Sequence, residues 1–482
     1  MFEQIKRLGA DTVVYGFSTI LSRLLNFLLV PFYTNVLVPA EYGIVATVYS
    51  FTAFLNIFYW YGLESAYFRF AAGKEIGTEK ENFSTPFISI TISSAVFSLL
   101  MIFFAKETTA VFQISDSFTR IIYYTAGILF FDALNLLPFA RLRLARKAKR
   151  FAFLKIFNIV LTILLNLYTI LKLHWGIEGI FFSNLIASAA TFVLLLPTLA
   201  GQLSFTFHKV LYKEILKFAL PLIPVGVSGI ALNIADRPIM LYLMDEKAVG
   251  IYQANYRLGI FMNMLVGVFE YAWRPFFLTT AKEPNAKELF SRIMTYFLFV
   301  CAFVFLILIF FLQDVIQLKI FGRHIIAPAY WSGLNVVPWV LLAYIFSGIA
   351  TNLNAGIQIE KKTMYLLPTS LSGSISNVVF NFLLIPVFGI LGAAYATTIG
   401  YGMVALTLYF VVQRIYYIQY EFKRIGILTA ATIIAAALYY LLPLTVPTKF
   451  ILLLSWFLSL YLLRFLTKEE LAKLKLLLKK FS

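Results

Sequence analysis

Charge is what this sequence has least of. Only 13% of its 482 residues are charged, against about 25% in soluble domains. Cysteine is almost absent: Cys301 stands alone in an apolar run, which excludes an intrachain disulfide. The three histidines, His174, His208 and His324, lie far apart with no cysteine beside them, so no metal site is expected. No phosphate loop of the GxxxxGK[ST] type occurs, so the chain is not expected to hydrolyse ATP, and no cofactor is implied. The net charge of +17 sits in short loops between apolar runs. That distribution argues against a nucleic-acid partner.

What fills the chain instead is apolar sequence, 61% of the residues. A bilayer-spanning helix needs about 20 such residues, and only helices or closed barrels satisfy their backbone inside lipid. Barrel strands alternate apolar and polar residues, and these runs are apolar all round. The sequence predicts an all-α polytopic membrane protein with fourteen spans. They are placed at 11–38, 42–68, 86–105, 118–140, 151–172, 177–200, 214–243, 248–279, 289–312, 330–358, 363–386, 390–413, 424–442 and 448–466. The first follows Lys6 and Arg7, is too long for a signal-peptide core, and is expected to remain as a helix.

Lysine and arginine set the orientation. They crowd into the first residues, the loops after even-numbered spans and the final segment. The opposite loops hold only Lys106, Arg120, Lys172, Lys247, Lys319, Arg323 and Lys449. Both termini are therefore expected in the cytoplasm. The densest block, Arg141 to Arg150, reads as a topology determinant touching anionic membrane lipid. At the end of the chain, Thr467 to Glu470 has the pattern of a capping box. Leu471, Leu474, Leu478 and Phe481 follow at helical spacing among lysines, so 467–482 reads as an amphipathic helix on the cytoplasmic surface.

The two halves echo each other. Tyr42-Gly43-Ile44 is matched 207 residues on by Val249-Gly250-Ile251, Tyr49 by Tyr256, and Asn56 by Asn263. Glu64 to Tyr67 is matched by Glu270 to Trp273, Gly176-Ile-Glu-Gly179 by Gly389-Ile-Leu-Gly392, Asn166 by Asn381, and Arg146-Lys147 by Lys361-Lys362. The repeat is six spans long, an even number, so the halves have parallel topology. The expected layout is two pseudo-symmetric six-helix lobes, 1–205 and 206–415, with two extra helices at 416–466.

On the Gly16 to Arg23 stretch, the Glu41-Tyr42-Gly43 start of span 2 and the Gly-Ile-x-Gly turns, the chain resembles the multidrug/oligosaccharidyl-lipid/polysaccharide exporter superfamily. Within it, it is most similar to the polysaccharide transporter branch, which includes O-antigen flippases. The resemblance covers nearly the whole chain. It implies a flippase that moves an undecaprenyl-pyrophosphate-linked oligosaccharide, such as a lipopolysaccharide repeat unit, from the inner to the outer leaflet of the cell inner membrane by alternating access. It further implies Na+ or H+ as a coupling ion, polysaccharide polymerase machinery as a partner, and a lipid-tail groove formed by the last two spans. The alternatives are a cation-coupled multidrug exporter and a membrane polymerase or ligase of lipid-linked sugars. The outer loop 313–329 has no pair of carboxylates for acid–base work, which argues against the enzyme.

Charges inside the spans mark the candidate site, because an arginine at mid-bilayer costs about 2.5–3.5 kcal/mol and needs a partner or a wet cavity. Arg23 with Asn26, Arg237 and Arg257 are expected to bind substrate, since guanidinium pairs bidentately with phosphate oxygens. For Arg237, pairing with Asp236 or Asp132 is the other reading. Glu64, Asp132, Asp236, Glu270 and Arg274 are expected to serve as gate or coupling residues. Glu270 and Arg274 lie four apart on one helix face, where they can pair. Tyr49, Tyr59, Trp60 and Tyr256 are candidates for stacking on sugar rings.

Overall fold

Backbone chemistry decides where each apolar run starts and breaks. The computed structural model describes residues 21, 23–73, 76–320, 322–467 and 470. Helix α1 covers 23–36. Pro39, whose fixed φ suits a first helical turn, opens α2 (Pro39–Trp60). The run predicted as one span over 42–68 then breaks, and α3 (Leu63–Gly73) follows. The break lies at Tyr61 and Gly62, with φ of 28° and 77°. A Cβ at Gly62 would sit 2.6 Å from the Ala219 carbonyl oxygen, so glycine is required on both counts.

Helix α4 (Glu79–Phe103) begins seven residues before its predicted start. Thr78 and Glu81 form a reciprocal capping box: Thr78 N donates to Glu81 Oε2 at 2.7 Å and Glu81 N to Thr78 Oγ1 at 3.2 Å. Then come α5 (Ala105–Val111), α6 (Thr119–Leu144), α7 (Ala148–Leu171) and α8 (Gly176–Ala200). The span expected over 214–243 is three helices, α9 (Lys209–Ala219), α10 (Leu222–Ile234) and α11 (Asp236–Leu243). Pro221 separates the first two. Pro238 lacks the N–H that would bond the Ile234 carbonyl, which separates the last two. The span over 248–279 is likewise α12 (Glu246–Leu258) and α13 (Ile260–Thr280), divided at Gly259.

The remainder runs α14 (Ala286–Gln317), a two-stranded hairpin of β1 (Lys319–Ile320) and β2 (Arg323–His324), a 3-10 stretch over Pro328–Val336, and α15 (Val337–Ile359). It ends with α16 (Leu366–Phe388), α17 (Ile390–Ile415), α18 (Phe422–Leu441) and α19 (Val446–Leu462). Among the described residues, 11 helices are long and apolar enough to cross a bilayer. The chain is a multi-pass membrane protein. Three of the fourteen expected spans fall outside that count. The first is only partly described, the eighth, α12 and α13, is not among the helices both long and apolar enough, and α19 has 17 residues.

The chain divides into two compact units. One holds the described residues up to Arg257 with Ile326–Gly333 and Ser370–Gly400; the other holds Leu258–Ile325, Leu334–Thr369 and the rest from Tyr401. In the first unit, α4 packs on α6, and α6, α7 and α8 pack along one another, with Phe83, Phe181 and Leu195 fully buried. The repeat-matched glycines Gly43 and Gly250, each the fifth residue of its helix, meet here backbone to backbone. A Cβ on Gly43 would lie 1.8 Å from the Glu246 carbonyl oxygen, and one on Gly250 1.8 Å from that of Pro39. Other matched positions share a backbone conformation: Arg146 and Lys361 have φ of 54° and 56°, Gly176 and Gly389 54° and 57°.

The core of the second unit surrounds Trp273, Phe277, Phe290, Met294 and Leu353. At one end of it, Arg424 on α18 collects the chain's last described residues. Its Nε donates to the Phe465 carbonyl at 2.9 Å, and its Nη atoms reach Glu421 and Glu470 at 2.8 and 2.9 Å. Glu470 also accepts from the Tyr296 hydroxyl and from Thr467 N, closing the predicted capping box. Leu471, Leu474, Leu478 and Phe481, predicted for the amphipathic helix, lie outside the described residues. Burial alone would raise the Glu470 carboxyl, but the bonds from Tyr296 and Thr467 and the Arg424 charge outweigh it and hold it below the ordinary value. A depressed acid stabilises its contact above the unfolded value, about 4.3 for glutamate, and loses that stabilisation as pH falls through the folded one. Proteolytic cleavage beyond Thr467 should therefore be flat from pH 8 to 5 and rise below about pH 4. Glu470→Gln should remove that pH dependence.

Candidate functional site

Five helices of the first unit turn one face each toward a cavity of about 370 Å³. The lining follows helical spacing, in which residues three, four and seven apart share a face. Helix α1 contributes Asn26, Leu29, Val30 and Tyr33; α2 contributes Tyr42, Val45, Ala46 and Tyr49; α7 contributes Asn158, Ile159 and Thr162. Asn184 of α8 and Gln253 and Arg257 of α12 complete it.

The polar groups are held by bonds behind the wall. Asn166 donates to the Tyr33 hydroxyl at 3.0 Å, Asn184 to the Tyr49 hydroxyl at 3.0 Å, and Asn158 to Thr191 Oγ1 at 2.9 Å. Tyr49 stacks on Phe181 with centroids 5.0 Å apart, and Tyr42 meets the Tyr330 ring edge-on at 6.1 Å. Arg257 is the one charged side chain in the lining. It is exposed between buried neighbours on α12, and no carboxylate among the described residues lies within ion-pair distance of it. The site therefore offers a fixed positive charge, amide and hydroxyl groups and aromatic faces. It suits an anionic, polyhydroxylated group.

The cavity brings together two of the four predicted binding residues, Asn26 and Arg257. Arg23 lies one turn before Asn26, exposed, and is not in the lining. Arg237 is 3% exposed and makes the other interaction the sequence allowed for it. Its Nη1 lies 2.5 Å from Asp236 Oδ1 and 2.7 Å from the Asn233 carbonyl, and its guanidinium lies 4.1 Å from the Tyr256 ring centroid. Arg237 touches the cavity only through Gln253, whose Oε1 accepts from Nε at 3.0 Å. Asp236 further accepts from the Tyr252 and Thr397 hydroxyls. Tyr256 thus carries an arginine, and Tyr59 is buried with its hydroxyl bonded to Ser98. Neither is free to stack on a ring, and Trp60 is not in the cavity lining.

Asp132 accepts from Ser188 Oγ at 2.7 Å, and among the described residues no arginine lies within ion-pair distance of it. Glu64 pairs with Arg143, whose guanidinium lies 4.7 Å from the Phe68 ring. Glu270 and Arg274 are both exposed; α13 contains them at the expected spacing, but among the described residues neither forms an ion pair. Sequence reasoning missed Tyr33, Tyr42, Asn158, Thr162 and Asn184. The only signal was their helical spacing from Asn26 and Tyr49.

In the second unit, α18 and α19 form a groove of about 480 Å³ whose walls include Gly426, Ala430, Ile434, Leu452 and Trp456. Its lining is apolar apart from two serines, Lys423 at one end and the Trp456 indole.

Residues 34–327, more than half of the chain, match the family model described as polysaccharide biosynthesis protein. No curated protein sequence matches the chain. Among solved structures it is similar to the lipid II flippase MurJ in an inward closed conformation, at 17% identity and a TM-score of 0.75, covering 94% of this chain and 98% of that one. It is also similar to an inward-facing multidrug resistance MATE transporter, at 15% identity and a TM-score of 0.65, covering 82% and 94%. A Vibrio cholerae MATE transporter follows at 13% identity and a TM-score of 0.55, covering 85% and 96%. At these identities the structures speak for the fold, and the family model for membership: the chain has the fold of these transporters and belongs to the polysaccharide biosynthesis protein family.

Proposed function

We propose that this protein is a flippase that carries an undecaprenyl-pyrophosphate-linked oligosaccharide from the inner to the outer leaflet of the inner membrane. It works by alternating access of two six-helix lobes, 1–205 and 206–415, with both termini cytoplasmic. The observation that carries this reading is the composition of the cavity: Arg257 without a carboxylate, among tyrosine hydroxyls and asparagine amides. A pyrophosphate takes the guanidinium, and the sugars take the amides, hydroxyls and rings. The apolar groove of α18 and α19 supports a place for the lipid tail, and the shared fold with a lipid II flippase supports the substrate class. An inside-negative potential favours outward movement of the headgroup by about 2.3 kcal/mol per charge per 100 mV. An exporter of cationic drugs fits this cavity less well, because Arg257 would repel its cargo and no acid in the lining would hold it.

The test is transport in proteoliposomes of a short-chain polyprenyl pyrophosphate sugar, compared with the same lipid as a neutral glycoside. The pyrophosphate form should be flipped and the neutral form should not. A charge-assisted bond contributes about 1.5–3 kcal/mol, so Arg257→Ala should slow transport roughly 10- to 100-fold. Arg257→Lys should restore part of it, since a point charge lacks the bidentate fork. Equal transport of both lipids would overturn the reading.

A further inference from the structure

One intramembrane cation near the cavity was not among the sequence candidates. Lys155 lies on α7, seven residues from its first residue Ala148, or about 10 Å along the axis. Its side chain is exposed, and its helical position says to what. Beyond Lys149 in its first turn, the other exposed residues along α7 are apolar or aromatic: Phe153, Val160, Leu164, Leu167, Tyr168 and Leu171. At 3.6 residues per turn, Leu164 is about 180° from Lys155 and the rest are more than about 100° away. The cavity-lining Asn158, Ile159 and Thr162 are within about 60° of it. Lys155 therefore opens toward the cavity side of its helix, opposite the side that meets lipid.

Its charge is not consumed by the protein. Among the described residues no carboxylate lies within ion-pair distance of Nζ, which instead rests 4.4 Å from the centroid of the Phe139 ring. The acids whose charge acts on it are Asp132 and Glu64, with Arg143 opposing them. Both acids are engaged, Asp132 by the Ser188 hydroxyl and Glu64 by Arg143. A lysine in this position, with its nearest acids occupied and a flexible stem, can exchange an aromatic face for an anion.

We propose that Lys155 is an anion-binding residue at the inner approach to the cavity, engaging a lipid-borne phosphate or pyrophosphate before it reaches Arg257. The residue lies on the same face as Thr162 but about 10 Å nearer the basic Arg141–Arg150 end of α7. A headgroup entering from that end meets Lys155 first, passes the Asn158 amide, and then comes within reach of the cavity's arginine. This assignment rests on the substrate class proposed above and adds a station to it.

The experiment is binding to the full-length chain in nanodiscs, using farnesyl pyrophosphate, farnesol and inorganic pyrophosphate as probes. Lys155→Ala and Lys155→Met should each weaken farnesyl pyrophosphate binding roughly 10- to 100-fold. Lys155→Arg should bind within a few-fold of the unaltered protein, farnesol binding should not change, and melting temperatures should match. Unchanged farnesyl pyrophosphate binding by the alanine and methionine variants overturns the proposal, while a loss in Arg257→Ala alone leaves the flippase reading standing. Loss in the arginine variant with an intact melt also overturns it, because charge would not be what matters. If inorganic pyrophosphate binds as tightly as the farnesyl form, the lipid-borne source is wrong. If the unaltered protein binds farnesol as well as farnesyl pyrophosphate, the function proposed above falls together with this site.

Discussion

Replacing Gly43 or Gly250 by alanine abolishes transport in protein that still inserts into the membrane. The two glycines lie in the first turns of α2 and α12, where the helices touch through their backbones. A methyl on Gly43 would stand 1.8 Å from the Glu246 carbonyl oxygen and 3.1 Å from Gly250 N; one on Gly250 would stand 1.8 Å from the Pro39 oxygen and 2.9 Å from Gly43 N. Carbon–oxygen contacts between packed backbones normally fall at about 3.3–3.6 Å. No side-chain rotation relieves a clash with backbone, so the helices must part by on the order of 1.5 Å. Overpacking of this kind costs about 1–3 kcal/mol or more, and each 1.4 kcal/mol is about tenfold in population. The Tyr330 hydroxyl, which donates to the Leu37 carbonyl at 2.9 Å beside this crossing, would be strained with it. The measurement is proteoliposome transport at matched protein levels, with Gly229→Ala as the control. A Cβ there meets nothing within 4 Å, so this variant should transport normally. Full activity in Gly43→Ala would mean that this helix crossing plays no part in the cycle.

That glycine pair also shows what was legible in the sequence. Gly43 and Gly250 stood out because the halves repeat, and a repeat locates equivalent positions without any knowledge of packing. The helices and their approximate bounds were legible because lipid demands long apolar runs. The breaks at Gly62, Pro238 and Gly259 were not, since an apolar run stays apolar through a kink. Asn26 and Arg257 were legible as polar groups in an apolar setting. Tyr33, Tyr42, Asn158 and Asn184 were not, because tyrosine and asparagine occur on lipid-facing, packed and cavity-facing surfaces alike, and hydropathy does not tell one face of such a helix from another. Lys155 was obscured by its place just after the basic Arg141–Arg150 block, where it reads as one more topology charge. Arg237 differed from Arg257 in sequence only by its neighbour Asp236, which left pairing and substrate binding both open. Only the fold shows that its neighbour Asp236 turns inward with it.

Asp236→Asn is expected to cost the protein a large part of its stability. The pair it breaks is almost fully enclosed: the Arg237 and Asp236 side chains are 4% and 2% exposed. Asparagine keeps an oxygen that accepts from Tyr252 and Thr397, so the hydrogen bonds are largely preserved and the lost quantity is charge. Arg237 cannot shed its proton, and it is left as an uncompensated cation whose remaining bonds, to Gln253 and the Asn233 carbonyl, are with neutral acceptors. Removing one partner of a buried pair costs about 3–5 kcal/mol, out of a total near 5–15 kcal/mol for a typical domain. The converse change, Arg237→Met, should cost less. Asp236 keeps its two hydroxyl donors and can take up a proton, a route the arginine lacks. Asp236→Leu with Arg237→Met should be milder than Asp236→Asn, because replacing both charges by apolar groups removes the desolvation penalty as well as the attraction. Thermal melting in detergent, with the monodisperse fraction on size exclusion, should rank the three with the single asparagine variant lowest. Transport by the folded double variant then decides the coupling role expected of Asp236. If the aspartate must release Arg237 to bind a cation or proton during the cycle, the double variant folds and does not transport. If the pair only holds α11 against α12 and α17, the double variant transports, and coupling must be sought at Asp132, the half-buried carboxylate also expected to serve it.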